Sequence, residues 1–174
     1  MPSWDFESAY RENSRMVYWA AYGILKSEAD ALDVSQEVFL RALRNEDKLA
    51  VLDEARQRGW LYRVAVNLCM DKKRGEKREF PAEDTEIFDR EDGDGEGLPE
   101  AAFMNAERKK LLREAIDALP AVYGESVLLH YFSGLSIDEI AALTGSSPGT
   151  IKSRLSRARQ KLYDILEKDG ERYA

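Results

Sequence analysis

Cysteine and histidine are almost missing from this chain, which has one of each, Cys69 and His130, among 174 residues. A disulfide needs a pair of cysteines, and a zinc site needs several cysteine or histidine ligands. We therefore predict no disulfide, no metal site and no cofactor. The sequence also shows no paired carboxylates, no nucleophile beside a base and no glycine-rich phosphate loop. We therefore expect no catalytic residue and no enzyme.

Long apolar runs are also missing. No stretch approaches the roughly 20 apolar residues that span a bilayer as a helix. No signal-peptide pattern opens the sequence. These absences predict a cytoplasmic protein without direct membrane insertion.

Acidic residues outnumber basic ones, and the net charge is −7. The excess is local, because residues 79–100 hold ten acidic residues and one basic residue, and the rest of the chain carries +2. Such a segment, with few apolar side chains and three glycines, cannot bury enough surface to order itself. We predict a flexible acidic linker at 79–100 that keeps a domain at 1–78 apart from a domain at 101–174.

Two helix signals near the C-terminal end are the clearest pattern that is present. Ser136 and Glu139 form a capping box that starts one helix, and Gly145 ends it. Ser147 and Pro148 then supply the N-cap and the first position of a second helix. Helix, tight turn and helix in this order predict a helix-turn-helix.

The second of these helices has two different faces. Residues 147–161 include five basic residues and no acidic one. One face is apolar and suits a core: Ile151, Leu155, Ala158 and Leu162. Basic and small polar side chains flank it and could contact phosphates and base edges in a major groove: Lys152, Ser153, Arg154, Ser156, Arg157, Arg159 and Gln160. A solvated surface helix would be the alternative.

Apolar residues recur every three or four positions elsewhere too, which predicts helices over 4–26, 30–44, 60–74, 100–118 and 121–132, with a loop at 45–59. Within 30–44 the wheel places Leu43 on the buried side, whereas Leu40 falls among polar residues and is expected to be exposed. Cys69 is predicted to be a small core residue. His130 is predicted to be structural or exposed.

Cations and aromatic residues alternate around residues 56–74, a combination that holds single-stranded nucleic acid through phosphate pairing and base stacking. Arg63, Asn67, Met70 and Arg74 share one exposed stripe. An ordinary amphipathic surface helix would have the same pattern. Composition leaves both interpretations open.

Taken together, these segments resemble an extracytoplasmic-function (ECF) sigma factor of the sigma-70 family. The resemblance rests on Asp33, Gln36, Glu37 and Phe39, on residues 60–71, and on residues 135–162, in this order along nearly the whole chain. It implies an all-α protein of two small helical domains, a sigma-2-like bundle and a sigma-4-like helix-turn-helix, joined by the acidic linker. It also implies a promoter-specificity subunit of RNA polymerase.

The resemblance assigns roles to individual residues. It assigns binding of the polymerase core to Asp33, Gln36, Glu37 and Leu40. Recognition of the melted minus-10 element falls to Trp60, Arg63, Asn67 and Arg74, and no base pocket can be assigned within 45–59. Reading of the minus-35 duplex falls to Lys152, Ser153, Ser156 and Arg157, with Arg154 and Arg159 on phosphates.

The implied partners are core RNA polymerase, through its beta-prime clamp and beta flap, promoter DNA, and a cognate anti-sigma factor. The competing hypothesis is an ordinary helix-turn-helix regulator with a helical dimerisation or sensing domain. That hypothesis explains residues 135–162 equally well. It leaves the pattern at 33–39, the stripe at 60–74 and the acidic segment without roles.

Overall fold

A computed structural model describes residues 4–78 and 106–172, and within them the side chains of 4–75 and 106–168. Helices account for nearly all of these residues, and no β-strand occurs in either range. In chain order they are α1 (Phe6–Leu25), α2 (Glu28–Arg44), α3 (Glu46–Ala50), α4 (Glu54–Arg78), α5 (Ala106–Asp117), α6 (Ala121–Val127), a π-helical turn (Leu128–Phe132), α7 (Ile137–Thr144) and α8 (Pro148–Arg172). The predicted all-α fold is confirmed.

Helix boundaries follow local capping chemistry. The Asp5 carboxylate accepts a hydrogen bond from the Ser8 amide at 3.3 Å and starts α1. Ser27 accepts one from the Asp30 amide at 3.2 Å and starts α2. Each bond satisfies an amide that has no partner within its own helix. Lys26, between these two helices, takes the left-handed conformation with φ 55°, which turns the chain back.

The first half is a bundle of α1, α2 and α4. Its centre is made of side chains that the apolar periodicity selects, with Val17, Val38, Leu61 and Cys69 fully buried. Asn13 is buried among them, and its side-chain amide donates to the Ala9 carbonyl at 2.9 Å. That bond removes the penalty of a buried polar group without a partner.

The second half is built from α5 to α8. Ile116, Leu129, Ile140 and Ile151 meet at its centre with no exposed surface or nearly none. His130 lies beside this centre, and its Nδ1 is 2.8 Å from the Leu135 carbonyl. The contact ties the end of the π-helical turn to the segment before α7, which is the structural role expected of His130.

Two expectations about the first half are wrong. The segment 45–59 is not simply a loop, because it contains α3 and the first turns of α4. Leu43 is not buried, since 42% of its surface is accessible. The wheel places Leu43 on the buried side of α2, but a wheel does not show how much of that side the neighbouring helices cover.

The two halves pack against each other, an arrangement that the sequence alone does not predict. Buried residues of both form one continuous cluster, in which α1 contacts α6 and the π-helical turn as well as its own bundle. Gln36 stays exposed on the far side of α2. The expected linker at 79–100 lies outside the described residues.

Burial makes Cys69 a sensitive probe of native packing. The apolar surroundings raise the pKa of its thiol to about 11, and its Sγ lies 3.9 Å from the Ala21 carbonyl. At pH 8 this pKa lowers the reactive thiolate about 100-fold relative to an exposed cysteine. We expect the native protein to react with a disulfide reagent at least about 100-fold more slowly than the urea-unfolded protein. Equal rates would contradict the placement of Cys69.

Candidate nucleic-acid interface

The second half contains a helix-turn-helix whose helix boundaries are set by two capping hydrogen bonds and one glycine. Ser136 Oγ accepts from the Glu139 amide at 3.1 Å and starts α7. Gly145 ends it at φ 69°, a left-handed conformation that glycine adopts without strain. Ser147 Oγ accepts from the Thr150 amide at 3.1 Å and starts α8. The predicted N-cap at Ser136, the turn at Gly145 and the second N-cap at Ser147 are confirmed.

The faces of α8 separate as the sequence predicts. Ile151, Leu155 and Ala158 are buried against the rest of the half, whereas Leu162 is only partly buried. The opposite face is exposed and carries Lys152, Ser153, Ser156, Arg157 and Gln160. A helix with one side anchored and a cationic, hydrogen-bonding side exposed has the form of a recognition helix.

The two flanking arginines of α8 are held by neighbouring polar groups. Arg154 donates to Ser146 Oγ at 3.4 Å and is partly buried. Arg159 donates to the Tyr131 hydroxyl at 2.8 Å. These bonds restrict two long side chains that would otherwise be mobile, and they leave further guanidinium donors for a phosphate.

In the first half, α4 carries the predicted polar stripe. Arg63, Asn67, Met70 and Arg74 are all exposed along one side of the helix, and Arg74 pairs with Asp71. Trp60 is different, because it is partly buried and packs against the core. The stripe is therefore a continuous surface, with Trp60 at its inner edge.

Two tyrosines and a cation of the first half bind groups of the second half. The Tyr62 hydroxyl donates to the Glu125 carboxylate, and Arg58 Nη1 lies 3.1 Å from Glu139 Oε2. The Tyr22 hydroxyl donates to Asp117 at 3.0 Å. Burial, with the carboxylate beside it, raises the pKa of each tyrosine above its usual range. Both phenols therefore remain protonated donors at neutral pH.

A different surface lies along α2. Leu40 is 48% exposed, as the wheel predicts, and Gln36 beside it is exposed as well. Glu37 forms an ion pair with Arg41 at 3.1 Å, and Asp33 lies 3.7 Å from Lys72 of α4. The expected polymerase-binding residues thus share one exposed face.

Sequence reasoning missed two members of that surface. Leu43 and Tyr10 leave large apolar areas exposed, 42% and 50% respectively, and the Tyr10 ring stacks edge-on against Phe39 with centroids 4.9 Å apart. We define the apolar ridge as Tyr10, Leu40 and Leu43. The apolar periodicity of 4–26 could not separate Tyr10 from the core residues of the same helix.

Metal and membrane sites can be addressed for the described part of the chain. Across it, no cluster of three or more histidine, cysteine, aspartate or glutamate residues could hold a metal ion. No helix in the same part is long and apolar enough to cross a membrane.

Fold and site together define a class: an all-helical protein with a helix-turn-helix and a second helical unit that presents its own polar stripe. Comparison with known families identifies both parts. Residues 9–79 match sigma-70 region 2, and residues 109–162 match sigma-70 region 4. The chain belongs to the sigma-70 family.

Relatives place it among the ECF sigma factors. It is 34% identical over 177 residues to the ECF RNA polymerase sigma factor SigE of Mycolicibacterium smegmatis, a match that covers 100% of this chain and 65% of that protein. It is 31% identical over 165 residues to the ECF sigma factor SigW of Bacillus subtilis, covering 91% of this chain and 85% of that one. The ordinary-regulator hypothesis is therefore not favoured.

Solved structures share the fold. The sigma factor RpoE of Bartonella quintana, in complex with the anti-sigma factor NepR, superposes with a TM-score of 0.65 at 23% identity, over 94% of this chain and 97% of that one. CnrH, in complex with the cytosolic domain of CnrY, gives 0.61 at 26% identity, over 94% and 88%.

Proposed function

We propose that this chain directs promoter-specific initiation by binding core RNA polymerase and reading two promoter elements, one with each half. The observation that carries this proposal is the pairing of a region-4 helix-turn-helix with a region-2 bundle that has two exposed surfaces, one polar and one apolar. A protein with these parts works by binding and DNA melting, so we propose no catalytic residue. Its place of action would be the cytoplasm.

The minus-35 duplex is proposed to lie against α8. Lys152, Ser153, Ser156 and Arg157 form the exposed centre of the helix, where side chains reach base edges. Arg154 and Arg159 flank them, already oriented by Ser146 and Tyr131. Such positioned cations suit phosphates, which fix register without reading sequence.

The melted minus-10 strand is proposed to follow α4. Arg63, Asn67 and Arg74 line the exposed stripe, and Trp60 at its inner edge offers a ring on which an unstacked base could lie. Phosphate pairing along the stripe and stacking at its end are the two contributions that hold single strands.

Core polymerase is proposed to bind the α2 face. The apolar ridge supplies the area that is lost from water on docking, and Asp33, Gln36 and Glu37 border it with polar groups. The clamp of the beta-prime subunit would cover this face, and the beta flap would contact the second half. An anti-sigma factor is a further proposed partner, because a sigma factor of the same fold is seen in complex with one.

The proposed domain boundaries are 1–78 and 101–174, with 79–100 between them. The structure does not describe the connecting segment at 79–100 or the first residues of the second domain, 101–105. The family match at 109–162 lies within the second proposed domain, and the match at 9–79 extends one residue beyond the end of the first.

Reconstitution tests the function together with the docking face. Added to core polymerase lacking any sigma subunit, the chain should give run-off transcripts from a promoter carrying its minus-10 and minus-35 elements, and core alone should not. Gln36→Ala and Leu40→Ala should each weaken core binding by about 1–2 kcal/mol, about five- to thirty-fold. The control is Val51→Ala, an exposed apolar residue outside α2. Unchanged core affinity in both variants would contradict the docking face.

Base reading by α8 is tested by comparing two arginines. A panel of minus-35 duplexes, each with one base pair changed, is titrated with the wild-type chain and its variants. Arg157→Ala should lose about 1–3 kcal/mol of discrimination at one position. Arg159→Ala should weaken all duplexes equally and lower the salt dependence by about one phosphate contact. Uniform loss for Arg157→Ala would reassign that residue to a phosphate.

A further inference from the structure

The side chain of Tyr131 links the π-helical turn to the recognition helix. Its hydroxyl accepts a hydrogen bond from Arg159 Nη1 at 2.8 Å, across 28 positions of the chain. Arg159 is exposed and Tyr131 is partly exposed, so the pair lies where a large partner can reach it. Tyr131 precedes both helices of the helix-turn-helix, and the motif itself therefore assigns it no role.

The neighbours of Tyr131 fix the position of its ring. The amide and the hydroxyl of Ser133 both donate to the Leu128 carbonyl at 3.0 Å, which closes the π-helical turn that contains Tyr131. The His130 ring packs edge-on against the tyrosine ring with centroids 4.8 Å apart, and its Nδ1 contacts the Leu135 carbonyl. Turns of this kind are rare and often lie at functional sites. The Tyr131 hydroxyl is thus held in place by packing as well as by its hydrogen bond.

The hydrogen-bond chemistry of the pair suits an anion. A guanidinium has only donors, so the Tyr131 hydroxyl is the acceptor of this bond and its own proton is directed elsewhere. Arg159 adds a positive charge and further N–H groups. Donors of two residues, 2.8 Å apart, can bind an anion that has several acceptor oxygens. A phosphate is such an anion, and arginine and tyrosine side chains both bind phosphates of DNA.

The pair lies at the edge of the reading face of α8. Arg159 is seven residues after Lys152, so both lie on the same side of the helix, about 10 Å apart along its axis. Residues 147–161 contain no acidic side chain that would repel a phosphate. Base edges line the floor of a major groove and phosphates border it, so a group at this edge is expected to meet the backbone.

Building on the proposed function, we propose that Tyr131 and Arg159 bind one phosphate of the minus-35 duplex as a unit. The Tyr131 hydroxyl accepts from Arg159 and donates its own proton to the same phosphate group. A hydroxyl that accepts from a cation is polarised and becomes a stronger donor. Tyr131 is then a DNA-binding residue outside the helix-turn-helix, and it fixes the register of α8 without reading bases.

Removing the hydroxyl alone tests this unit. Tyr131→Phe keeps the ring and its packing against His130, and should weaken binding of the full chain to every minus-35 duplex of the panel by about three- to tenfold. The loss should be uniform, because a phosphate contact carries no sequence information. In the Arg159→Ala background the same change should cost less, since members of one network are not additive. Tyr123→Phe is the matched control: this tyrosine of α6 has Lys161 over its ring at 6.0 Å and no proposed contact with DNA, so affinity should not change.

A methylphosphonate scan separates a phosphate contact from a structural role. Duplexes in which one phosphate at a time is made neutral are titrated with the wild type and with both variants. One position should cost the wild type about tenfold and should cost Tyr131→Phe and Arg159→Ala much less, because part of the unit that binds there has been removed. A tyrosine that only stabilised the fold would leave that position as sensitive in Tyr131→Phe as in the wild type.

Circular dichroism checks that each variant keeps its helices. Unchanged or tighter binding by Tyr131→Phe, a loss confined to one base pair, or losses independent of Arg159→Ala would overturn the inference. Full sensitivity of Tyr131→Phe at the phosphate that Arg159→Ala no longer senses would overturn it as well. A wild-type chain that gives no run-off transcript with core polymerase would instead count against the proposed function.

Discussion

Burial along α1 is the constraint on which the described structure depends. One side of this helix, with Val17 and Ala21, completes the core of the first half. The other side, with Trp19 and Gly23, meets the π-helical turn of the second. Because one helix contributes to both, the two halves share a single apolar cluster although each matches its own family region.

This packing affects three surfaces differently: the α2 face, the cationic face of α8 and the surface of α4. The α2 face remains exposed with its apolar ridge, and the cationic face of α8 remains exposed as well. On α4, Arg58 and Tyr62 are only partly exposed, because they are bound to carboxylates of the second half. The compact chain therefore leaves the α2 face and the cationic face of α8 accessible to large partners.

Much of this could be predicted from sequence where the cause is local. Caps at Ser136 and Ser147 and the period of residues 151–158 identify the helix-turn-helix without tertiary knowledge. Leu40 could be placed on the surface for the same reason. The exposure of Leu43 and the packing of the halves could not be predicted, because both depend on which helix covers a given face. The sequence shows that Trp19 and Tyr22 carry large side chains, but a helical wheel does not predict which residues of the second half they contact.

Burial of Trp19 and Gly23 of α1 against the second half should hold the free protein compact. Cysteines placed at exposed positions in each half, Val51→Cys and Tyr163→Cys, can carry spin labels, since the native thiol is buried. Pulsed electron paramagnetic resonance should give one short distance, below about 50 Å, for the free protein, whose compact diameter is about 40 Å. A broad distribution that extends well beyond about 50 Å would contradict the packing of the two halves on α1.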